Sequence, residues 1–133
     1  MIVFLDTSIC VLALRRSCPW VGERVKSMSA ELVKVPTIVM AELILGAFKS
    51  PRPGETMQAV REFLRPFETV PFCSRCAMEY GRLRADLERR GISIGPNDMI
   101  IAATVLAHGG TLVTHNLREF RRVAGLGIED WTE

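Results

Sequence analysis

The sequence predicts a three-layer α/β/α domain with a mainly parallel central sheet of about five strands. Short apolar runs of β-type residues alternate with longer stretches of helical periodicity, the pattern that gives parallel strands joined by helical crossovers. The first run, residues 2–5, is apolar throughout, as expected of a strand buried on both faces. A chain of 133 residues, 48% of them hydrophobic, can build one such core, so a single domain is predicted over residues 1–133.

The predicted strands are short and are bounded by turn-forming or polar residues. They cover residues 2–5, 32–35, 67–72, 111–114 and 128–131. Pro71 places the third of these at an edge of the sheet, because proline has no N–H to donate to a neighbouring strand.

The predicted helices fill the intervals between these strands. They cover residues 9–14, 19–29, 38–45, 55–64, 74–90 and 98–108. Thr37 is expected to cap the third helix through its hydroxyl. Gly91 is expected to end the fifth helix, and the pair Gly109-Gly110 the sixth, because glycine is favoured just beyond a helix C-terminus.

Composition excludes several classes of protein. The apolar segments are far shorter than the roughly 20 residues that cross a bilayer, and no secretory leader is recognisable, so we expect a cytoplasmic protein without a membrane anchor. The net charge is only +2, which gives no polybasic tail. Arginine outnumbers lysine 14 to 3. This bias weakly favours a phosphate-bearing partner, because arginine binds phosphate in a bidentate manner.

The four cysteines include one spaced pair, Cys73 and Cys76, in a C-x-x-C motif. Such a pair occurs in zinc sites and in redox-active dithiols. A zinc site needs a second pair of ligands, and Cys10 and Cys18 are too far apart in sequence to form one. The sequence therefore favours reduced cysteines with an ordinary structural role.

Three of the 15 acidic residues stand in apolar surroundings. Asp6 ends the first strand, Glu42 interrupts an otherwise apolar helix, and Asp98 opens another. An ionised carboxylate in such a setting is costly unless it is compensated, and none of the three has an Arg or Lys at helical pairing distance. Because ligands gather beyond the carboxyl ends of parallel strands, one shared cation is expected to bind all three. Ligands that are all oxygen favour Mg²⁺, with Mn²⁺ as a substitute, over zinc.

Helix capping is an alternative explanation for two of these acids. Asp6 is well placed to cap the helix that follows it, and Asp98 to interact with the helix dipole in a first turn. Glu42 lies in the second turn of its helix, where neither explanation applies. The three acids together favour a metal site.

Several segments of the chain resemble the PIN domain. They are residues 2–8, residues 39–46 around Glu42, and residues 94–103 around Asp98. The closing segments, residues 111–120 and 128–131, are similar to the VapC toxins of VapBC toxin-antitoxin pairs. The resemblance implies a single PIN domain and a Mg²⁺-dependent endoribonuclease that cuts tRNA or ribosomal RNA. It also implies a VapB-like antitoxin that neutralises the enzyme, and homodimerisation.

The resemblance also implies roles for individual residues. Asp6, Glu42 and Asp98 would hold one or two Mg²⁺ ions, with Asp6 and Asp98 as the direct ligands. The fourth acidic position of the family falls on Asn116, whose neutral amide weakens the case for a second metal, although Glu119 would supply a carboxylate if it turned inward. Thr7 would orient Asp6 or a bound water.

Candidate RNA contacts are arginines in the second half of the chain. Those proposed are Arg82, Arg84 and Arg118, with Arg89, Arg121 and Arg122 as further candidates. Each is also compatible with an ordinary solvated surface residue.

Two other functions compete with the nuclease. One is a catalytically silent PIN module that acts only by binding a partner. The other is a serine hydrolase, because residues 91–95 match G-x-S-x-G, and Asp98 and His108 or His115 follow in the order of hydrolase triads. That motif requires a strand before it, whereas a helix is predicted there, so the hydrolase is the weaker alternative.

Overall fold

The computed structural model describes residues 1–16 and 18–132 and contains one five-stranded parallel sheet. The strands lie in the order β3-β2-β1-β4-β5. Their bounds are β1 Val3–Leu5, β2 Val33–Pro36, β3 Glu68–Val70, β4 Thr111–Val113 and β5 Gly127–Glu129. The predicted α/β class with a parallel sheet of about five strands is confirmed.

In the described part of the chain, seven helices connect and cover these strands. They are α1 Thr7–Arg15, α2 Pro19–Ser27, α3 Thr37–Phe48, α4 Pro53–Leu64, α5 Ser74–Arg89, α6 Pro96–His108 and α7 Leu117–Phe120. A single 3-10 turn, Ala30–Leu32, leads into β2. All six predicted helices are present, and α7 is an addition that the sequence did not suggest. Within the described ranges, no helix has both the length and the apolar character needed to cross a membrane.

Strand β1 is the centre of the fold and is buried completely. Val3, Phe4 and Leu5 are all 0% exposed. Each such side chain contributes about 1.5–3 kcal/mol when it leaves water. Layers of helices on both faces of the sheet are required to exclude water from both faces of this strand.

The strand order reverses beside β1. From β1 the chain proceeds outward through β2 and β3 on one side, and it later places β4 and β5 on the other. Leu5 pairs with Val113 in parallel register, so β1 and β4 end at the same edge of the sheet. In open α/β sheets this switch point leaves a crevice where ligands bind. Asp6 and Thr114 follow these two strands directly.

Thr37 does not cap α3 as predicted. Pro36 precedes the helix in extended conformation, and Thr37 is its first residue. The Thr37 hydroxyl instead donates to the carbonyl oxygen of Val70 at 3.0 Å, which ties the start of α3 to the end of β3.

The last strand also differs from the prediction. It ends at Glu129, and Trp131 lies beyond it but is only 2% exposed. The side chain of Arg24 lies over the Trp131 ring, 4.4 Å from its centroid. Of the two apolar residues in 128–131, Ile128 therefore belongs to the strand, whereas Trp131 packs in the core beyond it.

Gly110 is expected to be intolerant of any side chain. An added Cβ would lie 2.7 Å from Phe4 Cε2 and 3.1 Å from the backbone oxygen of Ile2. Phe4 is buried against His108, so its ring has little room to move. We expect Gly110→Ala to lower the free energy of unfolding by about 1–3 kcal/mol, measured by urea denaturation.

Gly81 provides the matched control for this substitution. It lies within α5, and an added Cβ there would meet no atom within 4 Å. Gly81→Ala should leave stability unchanged or raise it by up to about 1 kcal/mol, because alanine is the better helix former. Equal stability of the two variants would contradict the close approach at Gly110.

Candidate active site

Asp6 is held at the carboxyl end of β1 by hydrogen bonds that fix both of its oxygens. Oδ1 accepts from the Ser8 hydroxyl at 2.7 Å and from the backbone N–H of Ile9 at 3.0 Å, which makes Asp6 the cap of α1. Oδ2 accepts from the Thr114 hydroxyl at 2.5 Å. Asp6 is only 3% exposed. Burial raises the pKa of Asp6, although these hydrogen bonds oppose the rise.

Glu42 projects from the middle of α3 toward the same edge of the sheet. Its Oε1 accepts from the Thr7 hydroxyl at 2.5 Å, and its Oε2 accepts from the Asn97 side-chain amide at 3.4 Å. Two segments far apart in sequence therefore orient this carboxylate. The Thr7 hydroxyl donates to Glu42 and not to Asp6, so of its two expected roles the orientation of a bound water stays a prediction.

Asp98 lies in the first turn of α6 and is surrounded by other acids. Burial is the main reason that its pKa is raised to about 7, and a hydrogen bond with the Glu119 carboxyl group adds to the shift. The negative charges of Glu119, Asp6 and Glu42 raise it further. Four carboxyl groups therefore lie close enough to interact, and the three predicted acids are brought together.

Asn116 and Glu119 form the side of the cluster contributed by α7. The Asn116 side-chain amide donates to Glu119 Oε2 at 3.1 Å, and its backbone N–H donates to the Thr114 hydroxyl at 2.8 Å. Glu119 therefore turns inward. The hydrogen bond with Asp98 lowers the pKa of Glu119. Asn116 contributes no charge to the cluster. Its side-chain amide instead orients the Glu119 carboxylate.

The cluster has no paired cation of its own. None of the ion pairs formed within residues 1–16 and 18–132 includes Asp6, Glu42, Asp98 or Glu119. Arg122 is near enough to favour the ionised form of Glu119, but its guanidinium donates to the Ser93 carbonyl oxygen at 2.7 Å. The repulsion among the four carboxylates is therefore largely uncompensated by protein groups.

The donor set fits a hard divalent cation that keeps part of its water shell. In the part of the chain that the structure describes, there is no group of three or more His, Cys, Asp or Glu side chains that could hold a metal ion. Mg²⁺ does not require one, because it is usually held by one or two carboxylates together with waters. Asp6 Oδ1 already accepts two hydrogen bonds, whereas Oδ2 accepts one and keeps a lone pair for a cation.

An apolar groove between α1, α3 and α4 opens beside the cluster. Its volume is about 790 Å³. Thr7 and Glu42 line the end next to the acids, and Val11, Leu14 and Val60 line its apolar part. The groove therefore leads from apolar surface directly to one of the carboxylates.

The predicted RNA-binding arginines occupy two different regions. Arg82 and Arg84 lie on α5 and are paired with Glu79 at 2.5 Å and Glu88 at 3.0 Å. Arg118 is exposed on α7, next in sequence to Glu119. Of these three arginines, Arg118 is the one that lies on the same helix as Glu119.

The arginines named as further candidates divide in the same way. Arg89 is paired with Asp86 at 2.8 Å on α5. Arg121 and Arg122 directly follow α7, close in sequence to Glu119.

Three residues of the site were missed from the sequence, namely Ser8, Asn97 and Thr114. Each holds one of the acids through a side-chain hydrogen bond. Thr114 could have been found from the sequence, because it directly follows a buried strand as Asp6 does. Ser8 and Asn97 look like ordinary helix-start residues, and only the fold shows which acid each one contacts.

The serine hydrolase alternative has no structural support. Ser93 lies in the irregular segment between α5 and α6. The element directly before this segment is therefore a helix, where the motif requires a strand. His108 Nδ1 contacts the backbone oxygen of Thr104, and His115 Nδ1 contacts Asp130. Neither histidine is hydrogen-bonded to Ser93.

The chain is similar to a known protein family and to individual members of it. The PIN domain family model matches residues 3–126. The chain is 36% identical over 132 residues to ribonuclease VapC2 of Rickettsia felis, and the match covers 98% of each chain. It is 35% identical over 127 residues to the tRNA(fMet)-specific endonuclease VapC of Salmonella typhimurium, with 96% of each chain covered.

Solved structures of VapBC complexes contain chains with the same fold. The fold superposes with a TM-score of 0.93 on a chain of the crystal structure of VapBC2 from Rickettsia felis bound to a promoter DNA fragment. That match has 35% identity and covers 98% of this chain and 99% of the other. DNA-bound VapBC from Salmonella typhimurium gives a TM-score of 0.93 at 34% identity, with 98% of each chain covered. The chain therefore belongs to the PIN-domain family and, within it, to the VapC group.

Proposed function

We propose that this protein is a Mg²⁺-dependent endoribonuclease toxin that hydrolyses phosphodiester bonds in RNA. The observation that carries the proposal is the meeting of Asp6, Glu42, Asp98 and Glu119 at the switch point of the sheet without a paired cation. A divalent ion is the partner that would offset this repulsion with oxygen ligands alone. The names of the VapC relatives, which are ribonucleases and endonucleases, support the reaction type.

The acidic residues would have two roles, which are to hold the metal ion and to accept a proton from the attacking water. Asp6 and Asp98 would hold the ion. Glu119 would orient Asp98 through the hydrogen bond between their carboxyl groups. Glu42, fixed by Thr7 and Asn97, is positioned to accept the proton of the attacking water. A bound divalent ion supplies a water of lowered pKa and offsets charge on the phosphate.

RNA is proposed as the substrate, and tRNA is the first to test. The Salmonella typhimurium relative is named as a tRNA(fMet)-specific endonuclease. Arg118 on α7 and Arg122, which is near enough to Glu119 to lower its pKa, would meet backbone phosphates that flank the scissile bond. Arg82 and Arg84 would contact RNA only if it extended along α5.

A VapB-like antitoxin is the proposed inhibitor. The solved relatives are VapBC complexes. The apolar groove between α1, α3 and α4 is suited to an amphipathic segment, and a basic side chain at its inner end would meet Glu42. We also propose a homodimer, for which exposed apolar residues on α3 such as Leu45 and Phe48, 57% and 70% exposed, provide surface.

Loss of either ligand acid should abolish RNA cleavage. We expect Asp6→Asn and Asp98→Asn each to reduce the rate of Mg²⁺-stimulated cleavage of total tRNA at least 100-fold, and EDTA to stop the wild-type enzyme. The reason is that a neutral amide cannot supply the charge that holds the ion. Cleavage is followed on gels with end mapping.

Asp86→Asn is the matched control. Asp86 lies on α5, where it pairs with Arg89 and Arg90, and it should retain full activity. If Asp98→Asn cleaved as fast as Asp86→Asn, the metal-site proposal would fail. A wild-type protein that binds its antitoxin but never cleaves RNA would favour the silent PIN module.

Glu119 should contribute to metal affinity even though Asn116 occupies the fourth acidic position. We expect Glu119→Gln to weaken Mn²⁺ binding several-fold, and Asn116→Ala to weaken it less, because the Asn116 amide only orients Glu119. Isothermal titration calorimetry measures both. Glu88→Gln on the surface of α5 is the control, and equal affinities for Glu119→Gln and Glu88→Gln would exclude a role for Glu119.

The metal-free protein should lose stability as pH rises. The pKa of Asp98 is about 7 in the folded protein and about 4 in the unfolded chain, so the folded state holds the proton more tightly. Its contribution is therefore fully present below pH ~4 and is lost as pH rises through ~7. The pKa of Asp6 shifts in the same direction, and that of Glu119 in the opposite one.

Thermal unfolding in EDTA between pH 4 and 8 tests this sign. We expect the melting temperature to fall toward pH 8, Mg²⁺ to restore it, and Asp98→Asn to flatten the profile. A melting temperature that rose steadily with pH in EDTA would show that the carboxylates do not repel one another as described.

A further inference from the structure

The C-x-x-C pair lies at the junction between β3 and α5, away from the acidic cluster. Cys73 is the residue that precedes the first turn of α5 and is half-buried, whereas Cys76 lies within that turn and is 0% exposed. Their Sγ atoms face each other at 3.6 Å. A disulfide needs about 2.05 Å between the sulfurs, so closure requires these two atoms to approach each other by about 1.5 Å.

The two thiols have different reactivity. Hydrogen bonds from the backbone N–H and the side chain of Cys76 lower the pKa of Cys73 to about 7, and Arg75 contributes to the same effect. Burial raises the pKa of Cys76, whose S–H contacts the Pro71 carbonyl oxygen at 3.8 Å. An accessible thiolate beside a buried, protonated thiol is the arrangement of an attacking and a resolving cysteine.

Metal binding does not explain the pair. Zinc sites take four protein ligands, or three and a water. Across residues 1–16 and 18–132, no third His, Cys, Asp or Glu completes a metal-binding group with Cys73 and Cys76. All four cysteines are free thiols, which agrees with the reduced state that the sequence favoured.

We propose that Cys73 and Cys76 form a redox-active dithiol that closes reversibly to an intrachain disulfide when it meets a small-molecule disulfide. The Cys73 thiolate attacks one sulfur of the oxidant, forms a mixed disulfide and releases one thiolate. Cys76 then loses its proton to solvent, and its sulfur attacks Cys73 Sγ and releases the second thiolate. The two cysteines give up two electrons, and the oxidant is reduced to two thiols.

Closure would link the residue before α5 to the first turn of that helix. Pro71 and Phe72 connect this point to the edge strand β3, and the Phe72 ring packs edge-on against Tyr80 at 6.2 Å. The Cys76 side chain also contacts Thr104 of α6. The disulfide would therefore restrict motion at the point where β3, α5 and α6 meet.

The test is thiol titration of the full chain in glutathione buffers of increasing oxidised fraction. Samples are quenched in acid and their free thiols alkylated. We expect the titre to fall from four to two per chain, with the loss of two hydrogens by intact mass. Tryptic cleavage after Arg75 then separates Cys73 from Cys76, so the disulfide appears as two linked peptides that reduction releases.

Variants assign the roles of the two sulfurs. Cys76→Ser should stop at a mixed disulfide and carry one glutathione on Cys73, while Cys73→Ser should form neither product. Cys18→Ser is the control, because Cys18 also precedes a helix but is followed three residues later by Val21, and it should behave as wild type.

Three results would overturn the proposal. They are a wild-type titre that stays at four in every buffer, a stable glutathione adduct on wild-type Cys73 that never resolves, and a disulfide that involves Cys10, Cys18 or a second chain. The wild-type measurement decides the question alone if a variant does not fold.

Discussion

The repulsion among four carboxylates at one edge of the sheet is the constraint on which the rest of the structure depends. Ionised groups brought together and partly removed from water raise the free energy of the fold. The protein offsets part of this cost with hydroxyl and amide donors from Thr7, Ser8, Asn97 and Thr114. The remainder is not offset by protein groups, and it would favour binding of the divalent cation that we propose. The acidic cluster therefore lowers the stability of the fold.

The parallel sheet makes this gathering possible. Parallel strands present their carboxyl ends at one edge, and the reversal of strand order beside β1 opens that edge between β1 and β4. Asp6 and Thr114 follow these strands directly, and α3 and α6 deliver Glu42 and Asp98 to the same place. Strong burial of β1 keeps the edge rigid, because Val3, Phe4 and Leu5 cannot shift without opening the core.

The sequence was sufficient for the class of fold and for the acids, and insufficient for their contacts. Apolar periodicity gives the strands and long helices, and an acid inside an apolar helix, as at Glu42, is conspicuous without any structure. The four-residue helix α7 was missed because so short a segment carries no periodicity. The sequence offered the inward turn of Glu119 only as a possibility, because its contacts with Asn116 and Asp98 depend on the fold. Hydrogen bonds between distant segments, such as that of Thr7 with Glu42, leave no local pattern to read.

The hydrogen bond between Thr114 and Asp6 joins residues that are 108 positions apart. Together with the pairing of β1 and β4, it means that the first strand cannot reach its final environment until the last fifth of the chain has been synthesised. A ribosome-bound nascent chain lacks β4, Asn116 and Glu119 for most of translation. The acidic cluster is therefore assembled only after β4, Asn116 and Glu119 have been synthesised, and a shorter nascent chain holds its acids apart from that arrangement.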